Sequence, residues 1–228
     1  MQTSLTSDRR TAVDEIFDHL HDEINALRLR PGDRISEAEI AARFGVSRQP
    51  VRDAFTRLAN LDLLLIRPQR ATEVRRFSAR EIEKSRFVRA AVEAEVLRRA
   101  ALSPDAGKPA RLGRELDRQR AALAARDATA FSALDYDFHQ ALCEIAGAGF
   151  AFEVISSEKA KLDRLCLLGL AKHDRMPQLL ADHEAIARAI LAGDPALAVE
   201  AGMHHLSQLD STLEQITKDN ASYFEQDV

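Results

Sequence analysis

The chain has 228 residues, of which 46% are hydrophobic and 30% charged, and its formal net charge is −4. This composition excludes a disordered or collagen-like chain, and the length suffices for one large or two modest domains with cores of their own. No apolar run reaches the roughly 18–20 residues of a membrane span, and the N-terminus lacks the apolar core of a secretion signal. We therefore expect a soluble protein of the cytoplasm, in which Cys143 and Cys166 are buried free thiols.

The charge is unevenly distributed along the chain. Residues 28–76 contain eleven arginines, no lysine and six acidic residues, which gives this segment a net charge of +5 and leaves −9 for the rest of the chain. A compact arginine-rich segment on an acidic body is typical of a protein in which one part binds a polyanion such as DNA. A solvated arginine face is the alternative, so the pattern within the segment must decide.

Three helices are predicted in the N-terminal segment. Apolar residues recur at steps of three and four over residues 11–27, which is the spacing of one buried helix face. Ser36, with Glu39 three residues later, predicts the start of a short second helix. Gly45 then turns the chain, and Ser47 is expected to cap a third helix. The second and third helices together are typical of a helix-turn-helix unit.

The third predicted helix has two different faces. Val51, Phe55 and Leu58 fall on one side, where they can be buried. The opposite face is polar and carries Arg48, Arg52 and Thr56, with Gln49 beside them. Arginine pairs with guanine and glutamine with adenine in the major groove of DNA, so this helix is predicted to be a recognition helix.

Two short strands are predicted directly after the recognition helix. An apolar run over residues 63–66 is followed by a turn at residues 68–71 and a second extended stretch that ends at Val74. A hairpin in this place indicates a wing, which would bring Arg67 and Arg70 to the DNA backbone or to a minor groove. The N-terminal segment is thus predicted to be a winged helix-turn-helix domain.

This order of elements resembles the winged helix-turn-helix of the GntR family of bacterial transcription regulators. The similarity lies in the stretch PGDRIS and in GVSRQPVRDA, within residues 11–76. The resemblance implies four residues that contact operator DNA: Ser47, Arg48, Gln49 and Arg52. The sequence departs from the family at Ala38, where some members carry an arginine, and at the wing tip, where Gln69 or Arg70 replaces the usual glycine.

From Ser78 onward the sequence predicts helices almost exclusively. Their expected ranges are 78–102, 108–125, 128–146, 150–172, 177–192 and 195–218. Six helices with short connections indicate an antiparallel all-α bundle. The predicted fold class is therefore mainly α, with a winged helix-turn-helix domain over residues 1–76 and a helical domain over residues 77–228.

Four ionisable side chains interrupt the apolar faces of this bundle. Asp135 and His139 lie one helical turn apart within one apolar face, and His183 and His205 are each enclosed by apolar positions of later helices. A lone inward histidine is usually an ordinary core residue, but a buried aspartate needs compensation. Three histidines and one aspartate together predict a divalent metal site, with zinc as the first candidate and nickel or manganese as alternatives. The neighbouring His204 is expected to face solvent.

The helical domain resembles the FCD ligand-binding domain of FadR-type GntR regulators, and its six helices suggest the VanR-like subgroup. The family pattern of D-x3-H followed by two further histidines is matched by the same four residues. The resemblance implies that the metal has coordination positions left for water or for an effector that carries a carboxylate. It also implies that an arginine of the domain's first helix can pair with this carboxylate. Arg89 matches that arginine and Arg86 is a second candidate. An ion pair between Arg89 and Glu93, one turn later, is the alternative role for Arg89.

These observations support one function and leave two alternatives. The chain is expected to be a homodimeric transcriptional regulator, and not an enzyme, that binds a pseudo-palindromic operator in double-stranded DNA. A small organic acid at the metal, such as a hydroxy acid or a sugar acid, is expected to control this binding. A regulator that responds to the metal ion itself would use the same residues. A helical metal-dependent enzyme with a DNA-binding appendage would need a general base, and the sequence suggests no further inward carboxylate or histidine.

Overall fold

The structure is a computed structural model, and it describes residues 11–166, 172–208 and 216–225. The chain is mainly helical and has one small sheet, as the sequence predicts. The described residues form two compact units. The first unit contains residues 11–78 together with 222–225, and the second unit lies between residues 79 and 221.

Three helices of the first unit are α1 (Ala12–Asn25), α2 (Glu37–Phe44) and α3 (Arg48–Asn60). Ser36 caps α2, since its hydroxyl accepts a hydrogen bond from the Glu39 N–H at 3.4 Å. Gly45 ends α2 with a φ of 65°, a left-handed conformation that glycine adopts without a Cβ clash. Ser47 occupies the N-cap position of α3, but its side chain makes no capping hydrogen bond, so that part of the prediction is wrong.

The predicted division of α3 into two faces is confirmed. The core of the first unit is formed by α1, α2, α3 and the sheet, and it buries Val51, Phe55 and Leu58. The side chains on the other face of α3 are exposed: Arg48, Gln49, Arg52 and Thr56. Burial of the apolar face fixes the rotation of α3 about its axis, so the polar face must point to solvent.

A three-stranded antiparallel sheet completes the first unit. Its strands are β1 (Arg34–Ile35), β2 (Leu64–Leu65) and β3 (Thr72–Val74), and their order in the sheet is β1-β3-β2. The predicted hairpin of β2 and β3 is confirmed, whereas β1 is too short to leave an alternating pattern in the sequence. Gln69, in the turn between β2 and β3, has a φ of 57°. A residue with a side chain costs about 1 kcal/mol or more in this left-handed conformation, a cost that glycine avoids.

Residues 222–225 pack against the segment that follows β3. The Phe77 N–H donates to the Tyr223 carbonyl at 2.9 Å, and the Glu225 N–H donates to the Phe77 carbonyl at 2.8 Å. The rings of Phe77 and Phe224 lie 5.7 Å apart, and each of these residues is only 7% exposed. The backbone at Phe77 is thus held by a segment that is far away in the sequence.

We expect Phe224→Ala to loosen this contact locally. Loss of a buried phenyl ring costs about 3–5 kcal/mol in a protein core, so the Phe77 amide should exchange its hydrogen faster in the variant. Hydrogen exchange of the full chain, followed by mass spectrometry, measures this. Phe150→Ala is the control, because Phe150 is 79% exposed and lies in the second unit. If Phe77 exchanged equally fast in Phe224→Ala and in the unaltered protein, the contact would not stabilise this segment.

The helices of the second unit over the described residues are α4 (Ala79–Leu102), α5 (Lys108–Ala124), α6 (Ala128–Ile145), α7 (Ala151–Cys166), α8 (Lys172–Ala192) and α9 (Pro195–Ser207). Helix α4 packs on α7 and α9, and α8 packs on α5 and α9. The largest side chains of the shared core include Leu112, Phe138, Ile155 and Ile186. The six predicted helices are therefore present, although α8 begins earlier than predicted and contains Pro177.

Several smaller expectations also have an outcome. Cys143 is a buried free thiol, and burial raises its pKa to about 12. The side chain of Cys166, and residues 209–215 of the last predicted helix, lie outside the described residues. His204 is exposed, as expected. Among the described residues, no helix is both long and apolar enough to cross a membrane.

Candidate functional site

Asp135, His139, His183 and His205 come together in the interior of the second unit. Helix α6 carries the first two residues one turn apart, α8 carries His183, and α9 carries His205. All four side chains are buried, and one potential ligand atom from each lies within 4.8 Å of the others. Three helices thus bring four metal-binding side chains to one point.

The inward atoms of this cluster fit a divalent metal ion. Asp135 Oδ1 lies 3.2 Å from His183 Nε2 and 4.0 Å from His139 Nε2. Within the described residues none of these three buried atoms has a hydrogen-bond partner. A buried polar atom without a partner costs about 1–3 kcal/mol, and a single cation would satisfy all three together. Imidazole nitrogen and carboxylate oxygen are ligands that zinc, nickel and manganese accept.

Each histidine of the cluster has an acceptor near its Nδ1 atom. An acceptor at Nδ1 favours the proton on that nitrogen, which leaves the Nε2 lone pair for a metal. The contacts are Glu93 Oε2 with His139 at 3.0 Å, Gln119 Oε1 with His183 at 2.8 Å, and Asp182 Oδ2 with His205 at 3.4 Å. These contacts orient the His139 and His183 rings in the way that metal ligands require. His205 Nδ1 and Asp182 Oδ2 lie close together but make no hydrogen bond within the described residues.

Glu93 and Asp182 correct one expectation from the sequence. Both are inward carboxylates, with residue exposures of 4% and 5%, so the view that the helical domain has no further inward carboxylate is wrong. Glu93 lies one helical turn after Arg89 and pairs with it at 2.9 Å, and Asp182 precedes His183 in the chain. The i,i+4 spacing of Arg89 and Glu93 does not indicate burial, because such ion pairs are common on exposed helix faces. The position of Asp182 next to His183 in the chain does not indicate burial either.

Burial and neighbouring charges set the protonation of the cluster. Burial lowers the pKa of His183 to about 4 and also lowers the pKa of His205. Both rings are therefore neutral at pH 7, which is the form that binds a metal. Burial alone would raise the pKa of Asp135, but the ammonium group of Lys159 holds it well below its ordinary value. Asp135 is thus an ionised carboxylate in the protein interior.

Arg86 and Arg89 lie on α4 beside a cavity of about 390 Å³, which residues of α4, α7 and α9 line. Arg86 is exposed, whereas Arg89 is buried and donates from Nε to Glu93 Oε1 at 2.9 Å. The ion pair that was the alternative role for Arg89 is therefore formed. Because Glu93 also contacts His139, Arg89 lies between the cavity and the buried cluster.

Two of the residues expected to contact DNA form hydrogen bonds with nearby carboxylates. Arg52 donates from Nε to Glu37 Oε2 at 2.9 Å, and Gln49 donates from Nε2 to Asp53 Oδ1 at 2.9 Å. The Thr56 hydroxyl donates to the Arg52 carbonyl at 2.8 Å. Solvent-exposed pairs of this kind contribute little to stability, so DNA can replace them at low cost.

The remaining candidates for DNA contact are also exposed. They are Ser47 at the start of α3, Arg48 in its first turn, and Arg67 and Arg70 in the turn between β2 and β3. Among the described residues, none of these three arginine side chains makes a hydrogen bond or an ion pair. Unpaired guanidinium groups on the surface are well suited to bind phosphate oxygens.

The first unit is a helix-turn-helix followed by a β-hairpin wing, and the second unit is helical and contains a buried cluster of ligand-type residues. This arrangement is that of a winged helix-turn-helix protein with a separate helical domain. Residues 12–74 match the family described as bacterial regulatory proteins, gntR family, and residues 85–208 match the FCD domain. The chain belongs to the GntR family of DNA-binding transcriptional regulators and carries an FCD domain.

Similar proteins cover almost the whole chain. The HTH-type transcriptional repressor RspR of Escherichia coli (strain K12) is 33% identical over 213 residues, which are 93% of each chain. The probable D-xylose utilization operon transcriptional repressor of Paenarthrobacter nicotinovorans is 29% identical over 206 residues, 90% of each chain. A solved structure of a putative transcriptional regulator GntR from Rhodococcus sp. RHA1 has a TM-score of 0.67 at 26% identity, and the match covers 90% of this chain and 97% of that one. These relatives are regulators rather than enzymes, in agreement with the sequence analysis.

Proposed function

We propose that a small organic acid, bound at a divalent metal ion in the second unit, controls the affinity of this regulator for its operator. The observation that carries the proposal is the buried cluster of Asp135, His139, His183 and His205, with an arginine-lined cavity next to its supporting residues. The neutral imidazoles of His183 and His205 and the ionised carboxylate of Asp135 are already in the protonation states that a metal needs. Zinc is our first candidate, with nickel or manganese as alternatives.

The bound ion would act as a Lewis acid that attracts the carboxylate, and a neighbouring hydroxyl, of a hydroxy acid or a sugar acid. Arg89 and Arg86 would pair with the same acid from α4, since guanidinium groups bind carboxylates through two parallel hydrogen bonds. Arg89 uses Nε for Glu93, which leaves its terminal amino groups for an effector. The name of the relative linked to D-xylose utilization supports an effector derived from a sugar.

For the first unit, we propose that the exposed face of α3 enters the major groove and that the wing contacts the backbone. The proposed DNA contacts are Ser47, Arg48, Gln49, Arg52, Thr56, Arg67 and Arg70. A homodimer would present two such units to the half-sites of a pseudo-palindromic operator in the bacterial cytoplasm. An acid that binds one arrangement of the two DNA-binding units better than another would shift the population and so change operator affinity.

Thermal unfolding tests the proposed effector class. The protein is stripped with a chelator, reloaded with zinc, nickel or manganese, and melted with gluconate, xylonate, lactate or citrate. An acid at about 100 times its dissociation constant stabilises the protein by about 2.7 kcal/mol, so the melting temperature of the metal-loaded protein should rise by several degrees. The stripped protein should not respond. If metal alone changed operator binding and no acid did, the metal ion would itself be the signal. If an acid raised the melting temperature of the stripped protein as much as that of the metal-loaded protein, the metal would have no part in effector binding.

A further inference from the structure

Lys159 is a buried lysine that contacts the carboxylate of the candidate metal site. It lies on α7, and its Nζ is 2.8 Å from Asp135 Oδ2 and 2.6 Å from Asp163 Oδ2. The lysine side chain is only 8% exposed, and its Nζ lies 4.0 Å from the centre of the Tyr136 ring. An ammonium group is therefore buried directly beside the cluster of metal ligands.

The two oxygens of Asp135 face different partners. Oδ1 lies nearest to His183 Nε2 and His139 Nε2, whereas Oδ2 binds the ammonium of Lys159. A carboxylate that is held in this way offers one oxygen, Oδ1, to a metal. The lysine also supplies the positive charge that a buried carboxylate needs, without any contribution from a metal.

Lys159 is itself held in place by its surroundings. Asp163 Oδ2 also accepts a hydrogen bond from its ammonium group, and the Tyr136 hydroxyl donates to the same Asp163 oxygen at 2.8 Å. Two carboxylate oxygens thus lie within hydrogen-bond distance of the ammonium group and balance its charge in the interior. The lysine is thus a fixed cation rather than a mobile surface group.

We infer that Lys159 is a positioning residue of the metal centre, which holds Asp135 as a one-oxygen ligand, neutralises it when no metal is bound, and lowers the affinity of the site for divalent ions. This inference rests on the metal site of the proposed function. An ammonium next to a ligand repels a divalent cation, so the site binds metal less tightly than its four ligands would alone. The protein then stays folded without metal, and the ion can exchange.

Lys159→Met tests the inference, because methionine is of similar length and has no charge. Without metal, the melting temperature should fall by about 10 °C, since Asp135 loses its partner in the interior. Saturating Ni²⁺ should raise the melting temperature of this variant more than that of the unaltered protein. The dissociation constant for Ni²⁺, measured by competition with a chelator, should fall at least about tenfold. Lys161→Met is the control, since Lys161 is exposed, lies on the same helix and pairs with Glu158.

A merely structural role for Lys159 would give a different result. The melting temperature would then fall equally with and without Ni²⁺, and the Ni²⁺ affinity would not change, which would overturn the inference. The effect of Lys159→Met should also be much smaller in an Asp135→Asn background, because no carboxylate is left to neutralise. If Lys159→Met does not fold without metal, the double variant with Asp135→Asn distinguishes the two roles. A folded double variant supports the inference that Lys159 neutralises Asp135. An unfolded double variant would mean that Lys159 stabilises the protein through packing, which would overturn the inference.

The proposed metal site and the role of Lys159 can fail separately. If the unaltered protein shows no response to Ni²⁺, Zn²⁺ or Mn²⁺, the metal site is refuted and the inference falls with it. If the unaltered protein and Lys159→Met respond equally to metal, only the role of Lys159 is refuted.

Discussion

Replacement of His183 by alanine is expected to abolish metal binding by the second unit and the stabilisation that comes with it. His183 is fully buried, its Nε2 lies 3.2 Å from Asp135 Oδ1, and its ring stacks on Phe138 with 4.3 Å between ring centres. The substitution removes one of four ligands and leaves Gln119 without its imidazole partner. A ligand that binds only the folded state stabilises it, so the variant should lose the rise in melting temperature that the metal produces.

His204→Ala is the matched control for this experiment. His204 lies on α9 next to the proposed ligand His205, but it is exposed and its ring nitrogens face the side-chain amide of Gln208. Elemental analysis should find full metal content in His204→Ala and almost none in His183→Ala. The metal-free His183→Ala protein should also be less stable than the unaltered one, because its core loses a packed ring. Unchanged metal content in His183→Ala would refute the proposed ligand set.

Arg52→Ala is expected to weaken specific operator binding by about 1–3 kcal/mol, since one arginine that makes two hydrogen bonds to a guanine contributes this much. The fold should not depend on Arg52. Its Nε contacts Glu37 at 2.9 Å, but the arginine side chain is 56% exposed, and exposed ion pairs contribute little to stability. The variant should therefore melt at nearly the same temperature as the unaltered protein and still bind DNA more weakly.

Fluorescence anisotropy measures the effect of Arg52→Ala on DNA binding. The probe is a duplex that the unaltered protein selects from a random pool, and an unselected duplex of the same length reports non-specific binding. Arg98→Ala removes the same charge from an exposed pair with Glu95 on α4, in the second unit, and should leave operator binding unchanged. If Arg52→Ala bound the selected duplex as tightly as the unaltered protein, α3 would be misassigned as the recognition helix.

The DNA-binding fold could be predicted because its signals are local. Ser36 and Gly45 mark the ends of α2, and the spacing of Val51, Phe55 and Leu58 sets the buried face of α3. Strand β1 was missed because its two residues are held by pairing with β3, which lies almost forty residues later in the chain. The packing of residues 222–225 on Phe77 was missed for the same reason.

The candidate metal ligands could be found because they interrupt apolar helix faces, whereas the residues that support them could not. Gln119 and His183 are 64 residues apart in the chain, and Glu93 and Lys159 contact the cluster from helices other than the one that carries Asp135 and His139. A polar residue that is buried by a long-range contact has the same local pattern as one on a solvated face. The charges that set the protonation of the site therefore become visible only in the structure.

The most direct test of the proposed regulation measures operator affinity at a fixed metal load. The metal-loaded protein is titrated onto the selected duplex with and without the acid that raises its melting temperature. We predict that the acid changes the dissociation constant for the operator by about 5- to 150-fold, the usual range of coupling between two sites, and that it has no effect on the stripped protein or on His183→Ala. An acid that binds the metal-loaded protein but leaves operator affinity unchanged, or that changes it equally in His183→Ala, would contradict control of DNA binding through the metal site.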